Sequence, residues 1–408
     1  MKAEPTVNQG VIELGLSLAL SALGKTDPNP PVGAVLVDDS NLEILGTGVT
    51  QSAGKMHAEV SAIENAEIHH GTGICAGKTL YVTLEPCNHT GKTPPCTNKI
   101  IERKIKRVVY LSKDNNPSVN GKGHQALESS GLEVLHLDYR HPWLDFLHES
   151  YNWATNRKQA LGILKWAQDS KGFIAPQKGS SGPISGVVAR EIMHRLRALC
   201  KAVLATPGTV KADRPMLTPR FGKQKLEKLY DGSAFMEALS QVTRSPAWGS
   251  SALNPQQVFC LPRDWDHKAI QKFRDSRKNA ENFNPIYVVR SQEAWDKLGP
   301  WPESSLCVPQ EKIEFPQLFS YLNQAVGLNH ALVEAGPTMV SEFLDYDFVQ
   351  KVIVLASHSQ KFANGRGVGL SDWLATGRTK GESKFGFQVE QKYETKEDSI
   401  YLLQRVMK

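Results

Sequence analysis

A short cysteine pair constrains the fold of this chain more than any other feature. The stretch LEPCNHTGKTPPC, at positions 84–96, contains Cys87 and Cys96, each directly after a proline, with eight residues between them. Six cysteines in 408 residues are too few for a disulfide scaffold, and a reducing cytoplasm would keep them as thiols. Closely spaced cysteines in that setting indicate a metal site or a catalytic site.

A His-x-Glu motif, His57 and Glu59, precedes this pair by about thirty residues. His-x-Glu, then Pro-Cys, then a second cysteine is the signature of zinc-dependent base deaminases. His57, Cys87 and Cys96 would supply three ligands and leave the fourth position of a tetrahedral zinc to water. Glu59 lies about 200° around a helix from His57, so we predict that it shuttles protons and does not bind the metal.

Each half of this signature has a simpler interpretation when it stands alone. An isolated His-x-Glu is usually a solvated helix face, and paired cysteines in a loop are usually buried thiols. The two together, with His-x-Glu at a helix start and Pro-Cys after a strand, favour the metal site. The other four cysteines lack such partners in the sequence and are predicted to be inert: Cys75, Cys200, Cys260 and Cys307.

The spacing of the two cysteines narrows the class of deaminase. Many base deaminases have only two residues between these cysteines, whereas this chain has NHTGKTPP. The longer loop carries polar and cationic side chains beside the predicted metal, at His89, Thr90, Lys92 and Thr93. Such groups suit a phosphorylated, sugar-bearing substrate.

Hydrophobic patterning divides the chain into two unlike α/β halves. A length of 408 residues suggests two or three domains, and we find no internal repeat. Helical and strand-like segments alternate up to about residue 137, a helical linker spans about 138–160, and strands and helices resume beyond it. A weakly hydrophobic stretch near 221–256 is predicted to be an insertion or a mobile loop. We therefore assign residues 1–145 to one domain and residues 146–408 to another.

Composition argues against several classes of protein. The chain is 40% hydrophobic and 22% charged, which is typical of a soluble globular protein. No apolar run reaches the length of a membrane span, and no basic segment precedes the N-terminal apolar stretch as in a signal peptide. The net charge of +6 is modest, and no Lys/Arg block indicates a nucleic-acid tail. We expect a cytoplasmic protein that binds neither membranes nor nucleic acids.

The sequence GKGHQA, at positions 121–126, fits a dinucleotide-binding pattern only weakly. It stands well after the nearest predicted strand, and no suitable acidic residue follows on a second strand. We therefore interpret its glycines as turn residues and assign no cofactor to this motif.

Longer motifs in both halves resemble the bifunctional deaminase–reductases of riboflavin biosynthesis. DPNPPVGAVLV, HAEVSAIENA, TLYVTLEPCNHTGKTPPC and NPSVNGKGHQAL are similar to the deaminase half of that family. LKWAQDSKGFIA, HRLRALCKAVLATPGTVKADRPMLTPR and LVEAGPTM look like its reductase half. The resemblance covers about residues 10–400. It implies a cytidine-deaminase-like three-layer α/β/α domain followed by a dihydrofolate-reductase-like α/β domain.

The resemblance also implies two reactions. Zinc-dependent hydrolysis would deaminate 2,5-diamino-6-ribosylamino-4(3H)-pyrimidinone 5′-phosphate, and NADPH would then reduce the ribosyl group to ribityl. The implied partner is this small pyrimidine ribosyl phosphate, and a homo-oligomer is compatible with it. Three alternatives stay open: an active deaminase with a degenerate reductase domain, a nucleic-acid base deaminase, and a purely structural zinc site.

The resemblance assigns roles to residues at matching positions. In the deaminase half it assigns zinc binding to His57, Cys87 and Cys96, proton transfer to Glu59, and substrate contact to Asn29. In the reductase half the substrate positions, whose two arginines suit a 5′-phosphate, are Ser181, Arg197, Leu217, Arg220 and Glu334. The NADPH positions are Lys165, Ala167, Thr209, Asp213 and Gly336.

Four positions depart from the family pattern. Pro31 stands where many members have arginine after the Pro-Asn-Pro turn, and Pro183 replaces a common tryptophan. Lys171 and Arg214 each replace an aspartate. The tryptophan loss removes a packing surface for the cofactor, and the two charge reversals bear on whether the reductase half is active.

Overall fold

The computed structural model describes residues 7–116, 120–137, 139, 142–176, 183–220, 236, 239, 255–280, 283, 285–310, 312–359, 361–362, 365–367 and 386–406. They form two compact units: the first contains the residues up to Asn156 together with positions 236 and 239, and the second contains the other residues from Arg157 onward. The predicted insertion near 221–256 lies outside the described residues except at positions 236, 239, 255 and 256. Within the described part, no helix has the length and apolar content that a membrane crossing requires.

The first unit, as far as it is described, is built on a five-stranded sheet in the order β2-β1-β3-β4-β5. The strands are β1 (Gly33–Asp38), β2 (Glu43–Val49), β3 (Thr79–Val82), β4 (Arg107–Tyr110) and β5 (Glu133–His136). β1 is antiparallel to β2 and β3, whereas β3, β4 and β5 are parallel. The helices of this unit are Gln9–Ala22, Ala58–His70, Cys96–Glu102, Lys122–Ser129 and Pro142–Arg157.

Glycines in β2 let the helix Ala58–His70 lie directly on the sheet. A Cβ at Gly48 would lie 2.2 Å from the Ala58 carbonyl oxygen, and one at Gly46 would lie 2.4 Å from the Ala62 carbonyl oxygen. Only a residue without a side chain fits at such a contact. The first turn of the helix, which carries the predicted catalytic glutamate, is therefore held closely against the strand.

The second unit, again as described, is built on a nine-stranded sheet in the order β11-β10-β9-β8-β12-β6-β13-β16-β15. Neighbouring strands are parallel from β11 to β13, and β16 and β15 add antiparallel. The strands are β6 (Leu161–Gln168), β8 (Ala202–Ala205), β9 (Gln256–Cys260), β10 (Pro285–Val289), β11 (Leu306–Cys307), β12 (His330–Glu334), β13 (Val349–Ser357), β15 (Phe387–Glu394) and β16 (Asp398–Arg405).

A separate two-stranded ribbon pairs β7 (Phe173–Pro176) with β14 (Gly365–Gly367). The helices of the second unit are Val187–Leu199, Pro207–Asp213, His267–Asp275, Gln292–Leu298, Phe315–Gln324 and Pro337–Phe343. Parallel strands joined by helices on a sheet of this kind are typical of α/β proteins. The predicted α/β class is therefore confirmed for both units.

The carboxyl ends of three central strands meet in the second unit. β12 lies between β6 and β8, with Glu334 in register with Lys165 of β6 and with Ala205 of β8. In open α/β sheets, ligands bind in the crevice beyond the carboxyl ends of the strands. The sheet topology thus brings predicted substrate and cofactor residues to one edge.

One local prediction is wrong and a second holds only in part. KAVLATPGTV is predicted as one strand, but the strand ends at Ala205 and Pro207 begins the helix Pro207–Asp213. Proline is tolerated there because the first helical N–H has no partner within the helix. The interpretation of the GKGHQA glycines as turn residues holds for Gly121, which lies in a turn at φ 76°, whereas Gly123 lies in the helix Lys122–Ser129.

Candidate active sites

The three predicted metal ligands converge in the first unit. His57 precedes the helix Ala58–His70, Cys87 follows β3, and Cys96 begins the helix Cys96–Glu102. His57 Nδ1 lies 3.6 Å from Cys87 Sγ and 3.3 Å from Cys96 Sγ, and ligand atoms of all three residues lie within 4.8 Å of one another. Sulfur and nitrogen bound to one tetrahedral zinc would be about 3.5 Å apart, given the usual bond lengths. The donor set and its spacing therefore fit zinc.

The two sulfur atoms differ in their protonation. A hydrogen bond from Cys96 lowers the pKa of Cys87 to about 4, and Cys87 Sγ also accepts from the Cys96 backbone N–H at 3.4 Å. The hydrogen bond between His57 and Cys87 in turn raises the pKa of the imidazole. The cluster thus presents a thiolate beside an imidazole, and both groups are ligand types that zinc prefers.

Glu59 lies beside this cluster, in the first turn of its helix. Its side chain is buried, with 5% of the residue exposed. Burial, together with the charge of Cys87, raises the pKa of the Glu59 carboxyl to about 7. A carboxyl with this pKa both accepts and releases a proton near neutral pH. These properties suit the predicted proton shuttle.

Glu85, which was not among the predicted site residues, supports the loop that carries the two cysteines. Its buried carboxylate accepts hydrogen bonds at 3.1 Å from the backbone N–H groups of Gly121, Gly123 and His124. A Cβ at Gly123 would lie 1.9 Å from the Pro86 carbonyl oxygen, so glycine is required there. Glu85 therefore ties the Pro-Cys loop to the start of the helix Lys122–Ser129. The sequence signal for this contact was a glutamate directly before Pro-Cys together with a Gly-x-Gly farther along the chain.

The predicted substrate residue Asn29 lies in a closed turn before β1. The Asn29 N–H donates to the Thr26 carbonyl at 3.0 Å, and Thr26 Oγ1 donates to the Asn29 carbonyl at 2.8 Å. Pro31, which stands where many relatives have arginine, is buried. In the loop between the two cysteines, His89 and Lys92 are exposed. Contact between Asn29 and a substrate stays a prediction.

Two cavities in the second unit gather most of the predicted reductase residues. The first, about 290 Å³, is lined by every predicted cofactor position: Lys165, Ala167, Thr209, Asp213 and Gly336. The second, about 390 Å³, is lined by three predicted substrate positions: Arg197, Arg220 and Glu334. Lys165, Ala167, Asp213 and Glu334 line both cavities, so a cofactor and a substrate bound in them would be neighbours.

A bidentate ion pair lies where the cavities meet. Arg197 Nε and Nη2 donate to the two carboxylate oxygens of Glu334 at 2.7 and 2.9 Å, and Arg197 Nη1 donates to the Thr218 carbonyl at 3.2 Å. Burial opposes the charge of Glu334, but Arg197 and Lys165 lower its pKa to about 2. Arg197, which the resemblance assigns to substrate binding, thus has most of its N–H donors paired within the protein.

The other predicted substrate positions are placed differently. Leu217 is fully buried with a left-handed φ of 60°, and its side chain does not line either cavity. Any contact it makes with substrate would therefore run through its backbone. Ser181 lies outside the described residues.

Of the three positions in the second unit that depart from the family pattern, one lines a cavity. Pro183 lines the second cavity. Lys171 is exposed in a turn, where its backbone N–H donates to Asp169 at 3.0 Å. The Arg214 guanidinium lies 5.6 Å from the centre of the Trp265 ring. The two charge reversals therefore leave the lining of both cavities unchanged.

Three cavity residues escaped the sequence analysis. Arg190 and His194 line the second cavity, two turns and one turn before Arg197 on the same helix, and Arg366 lines the first cavity. Their spacing of three and four residues is the signal that placed them on one helix face. Burial, followed by the charges of Arg197 and Arg220, lowers the pKa of His194 to about 4, so its ring is neutral at neutral pH.

Known protein families match both units. Residues 7–112 match the cytidine and deoxycytidylate deaminase zinc-binding region, and residues 161–357 match the RibD C-terminal domain. A solved Thermotoga maritima deaminase/reductase is similar over 97% of this chain and 98% of its own, with 29% identity and a TM-score of 0.72. It is described as a diaminohydroxyphosphoribosylaminopyrimidine deaminase/5-amino-6-(5-phosphoribosylamino)uracil reductase.

Curated relatives give the same result. The riboflavin biosynthesis protein RibD of Corynebacterium ammoniagenes is 40% identical over 235 residues, which are 54% of this chain and 65% of that protein. This first match therefore spans less than two thirds of the relative. The RibD of Escherichia coli K12 is 31% identical over 366 residues, which are 86% of this chain and 88% of that protein. On the breadth of this second match, together with the two domain matches, the chain belongs to the RibD family of riboflavin biosynthesis proteins.

Proposed function

We propose that the chain catalyses two successive steps of riboflavin biosynthesis. The first is hydrolytic deamination of 2,5-diamino-6-ribosylamino-4(3H)-pyrimidinone 5′-phosphate, and the second is NADPH-dependent reduction of the ribosyl group to ribityl. The observation that carries the proposal is the His57–Cys87–Cys96 cluster with buried Glu59 beside it. The assignment of residues 1–145 to deamination and 146–408 to reduction is part of the proposal.

In the deamination, His57, Cys87 and Cys96 would hold zinc, which would supply the Lewis acidity that activates water. Glu59 takes a proton from the attacking water and returns it to the amino nitrogen, which leaves as ammonia. Its pKa near 7 supports both transfers, because the carboxyl is neither a strong acid nor permanently ionised. Glu85 keeps the Pro-Cys loop in place by accepting three backbone N–H groups.

In the reduction, Lys165, Ala167, Thr209, Asp213 and Gly336 would hold NADPH, which would supply the hydride for the C1 position of the opened ribosyl group. A proton must follow the hydride. Lys165 is placed to deliver it, because it lines both cavities and burial lowers its pKa. The Arg197–Glu334 pair fixes the wall of the substrate cavity.

The proposal takes the substrate to be a free pyrimidine ribosyl phosphate and not a nucleic acid. The modest net charge of +6 and the absence of a Lys/Arg block in the sequence support this choice. We also propose a cytoplasmic location, and an assembly into homo-oligomers is compatible with both activities.

Two assays test the proposal. Ammonia release by the zinc-loaded protein is measured with the pyrimidinone phosphate and, in parallel, with single-stranded RNA. NADPH oxidation is then followed with the deaminated product. We expect ammonia from the pyrimidinone alone, followed by NADPH oxidation. Absence of both saturable NADPH binding and oxidation would leave the alternative of a deaminase with a degenerate reductase domain.

A further inference from the structure

The segment 214–220 borders the substrate cavity and has an unfavourable backbone. It follows the helix Pro207–Asp213 and forms neither helix nor strand. Two of its residues have left-handed backbone, Arg214 at φ 44° and Leu217 at φ 60°. Residues with a Cβ keep such a conformation only where the surrounding structure holds them in it.

Arg277 makes the contacts that hold the start of this segment. It is 3% exposed and lies two residues beyond the helix His267–Asp275. Its Nη2 donates to the carbonyl oxygens of Arg214 and Pro215, the latter at 3.0 Å. Its Nη1 donates to the Phe273 carbonyl at 2.9 Å, and its guanidinium carbon lies 3.6 Å from the centre of the Phe273 ring. One buried guanidinium therefore joins the end of a helix to the backbone of the segment.

The side chain of Arg214 makes a second link to the same region. Its guanidinium carbon lies 5.6 Å from the centre of the Trp265 ring, and the Trp265 and Phe273 rings are 5.3 Å apart. A cation over an aromatic ring is a favourable contact. The arginine that replaces the family's aspartate thus fastens the segment to the aromatic group that also contacts Arg277.

The far end of the segment reaches the substrate cavity. The Thr218 carbonyl accepts from Arg197 Nη1 at 3.2 Å, and Arg220 lines the cavity of about 390 Å³. The cofactor side, at Thr209 and Gly336, lies outside the segment. A shift of the backbone at 214–215 would disturb Thr218 and Arg220 on the substrate side, and Asp213, which lines both cavities, is the one cofactor position next to the segment.

We propose that Arg277 is a positioning residue for the reductase: it holds segment 214–220 so that Thr218 and Arg220 keep their places at the substrate cavity. Arg277 does not line the cavity and touches no reacting atom. The inference rests on the proposed reductase function, which gives the segment its role in substrate binding. A guanidinium suits this position because its N–H groups donate to four acceptors while its planar face packs on the Phe273 ring.

The test compares Arg277→Met with a matched control, Arg274→Met, in the full-length zinc-loaded protein. Arg274 lies in the helix His267–Asp275, three residues before Arg277, and also donates to backbone carbonyls, those of Leu298 and Pro300. We expect Arg277→Met to raise the KM for the deaminated substrate about tenfold, the size expected when one or two net hydrogen bonds are lost. The Kd for NADPH should change less than KM, because Asp213 is the one cofactor position beside the segment, and kcat should also change less than KM. The control should leave all three values as in the unmodified protein.

Amide hydrogen exchange without ligands separates this inference from the proposed function. Arg277→Met should speed exchange in 214–220, and Arg274→Met should not. If the unmodified protein fails to oxidise NADPH, the proposed function falls, but the exchange result still decides whether Arg277 holds the segment. Arg277→Lys, which keeps the charge and loses the fork, should give an intermediate KM and replaces the methionine variant if that one does not fold. Unchanged exchange in the Arg277 variants, or an equal rise in KM in the control, overturns the inference.

Discussion

The Arg197–Glu334 pair determines which charges in the substrate cavity face a ligand. Because their charges neutralise each other, the remaining charged lining of this cavity consists of Lys165, Arg190 and Arg220 with the single carboxylate of Asp213. Cations are in excess, and a cavity with one dominant sign of charge attracts ligands of the opposite sign. This arrangement suits the phosphate ester of the proposed substrate. It also makes Arg190 a candidate phosphate-binding residue, which the sequence did not indicate.

Glu59→Gln separates a catalytic zinc site from a structural one. The amide has nearly the same shape as the carboxyl but accepts no proton, so we expect ammonia release to fall by about 100-fold or more with zinc content unchanged. Glu64→Gln is the control, because Glu64 lies on the same helix with a side chain 41% exposed. A Glu59→Gln protein that releases ammonia at the rate of the unmodified protein would mean that the zinc is structural.

Glu85→Gln tests whether a buried carboxylate supports the cysteine loop. Glutamine keeps one acceptor oxygen for Gly123 and His124, but its NH₂ cannot accept from the Gly121 N–H, so we expect a loss of about 1–3 kcal/mol in the free energy of unfolding. Zinc affinity should fall about tenfold, as for other residues that orient a ligand indirectly. Metal-chelator competition measures this affinity.

The control for this variant is Glu67→Gln, which breaks the 2.7 Å ion pair between Glu67 and Arg103 away from the cysteines. It should lower stability without weakening zinc binding. Equal zinc affinity in both variants would show that Glu85 has no part in holding the ligands.

The helix Ala58–His70 shows how one element determines the deaminase site. Its contact with β2 depends on Gly46 and Gly48, where the helix backbone takes the space of a side chain. Because His57 and Glu59 stand at the start of this helix, its distance from the sheet sets their positions. Close packing of this kind does not yield to an added methyl group without a shift of the backbone.

Gly48→Ala should therefore damage both stability and the metal site. Its Cβ would lie 2.2 Å from the Ala58 carbonyl oxygen, and we expect a loss of about 1–3 kcal/mol from overpacking, with weaker zinc binding. Gly10→Ala is the control, because the nearest atom to its Cβ is Asn8 Oδ1 at 3.4 Å and alanine favours helix. Calorimetry and chelator competition measure the two effects. A Gly48→Ala protein as stable as the control would show that the helix moves freely on the sheet.

Across the whole chain, the sequence predicted what a recognisable motif indicates and missed contacts that no motif encodes. The α/β class and the cluster of His57, Cys87 and Cys96 follow from patterns and spacings along the chain. Glu85 was missed because a carboxylate that accepts from backbone N–H groups belongs to no motif; its partners lie 36 to 39 residues away, whereas Cys96, 39 residues from His57, was found through the zinc signature. Arg277 was missed because its contact with Arg214 spans 63 residues and a left-handed backbone has no reliable signal outside glycine. Such contacts arise only when the elements pack.

Acid stability is a property of the whole protein that one buried histidine should influence strongly. His148 is 3% exposed, and burial lowers its pKa from 6.5 to about 4. Between these values the unfolded chain binds a proton that the folded chain does not, so the free energy of unfolding falls as the pH falls from 6.5 towards 4. The full difference amounts to about 3 kcal/mol.

His148→Leu should remove this contribution, because leucine binds no proton in either state. Its free energy of unfolding, measured by urea denaturation at a series of pH values, should therefore decline less than that of the unmodified protein across the window from 6.5 to about 4. Carboxylates also titrate there, but they are common to both proteins and cancel in the difference. His70→Gln, a change at an exposed histidine, should keep the original slope. Parallel slopes for His148→Leu and the unmodified protein would mean that His148 binds its proton equally well in the folded and unfolded states.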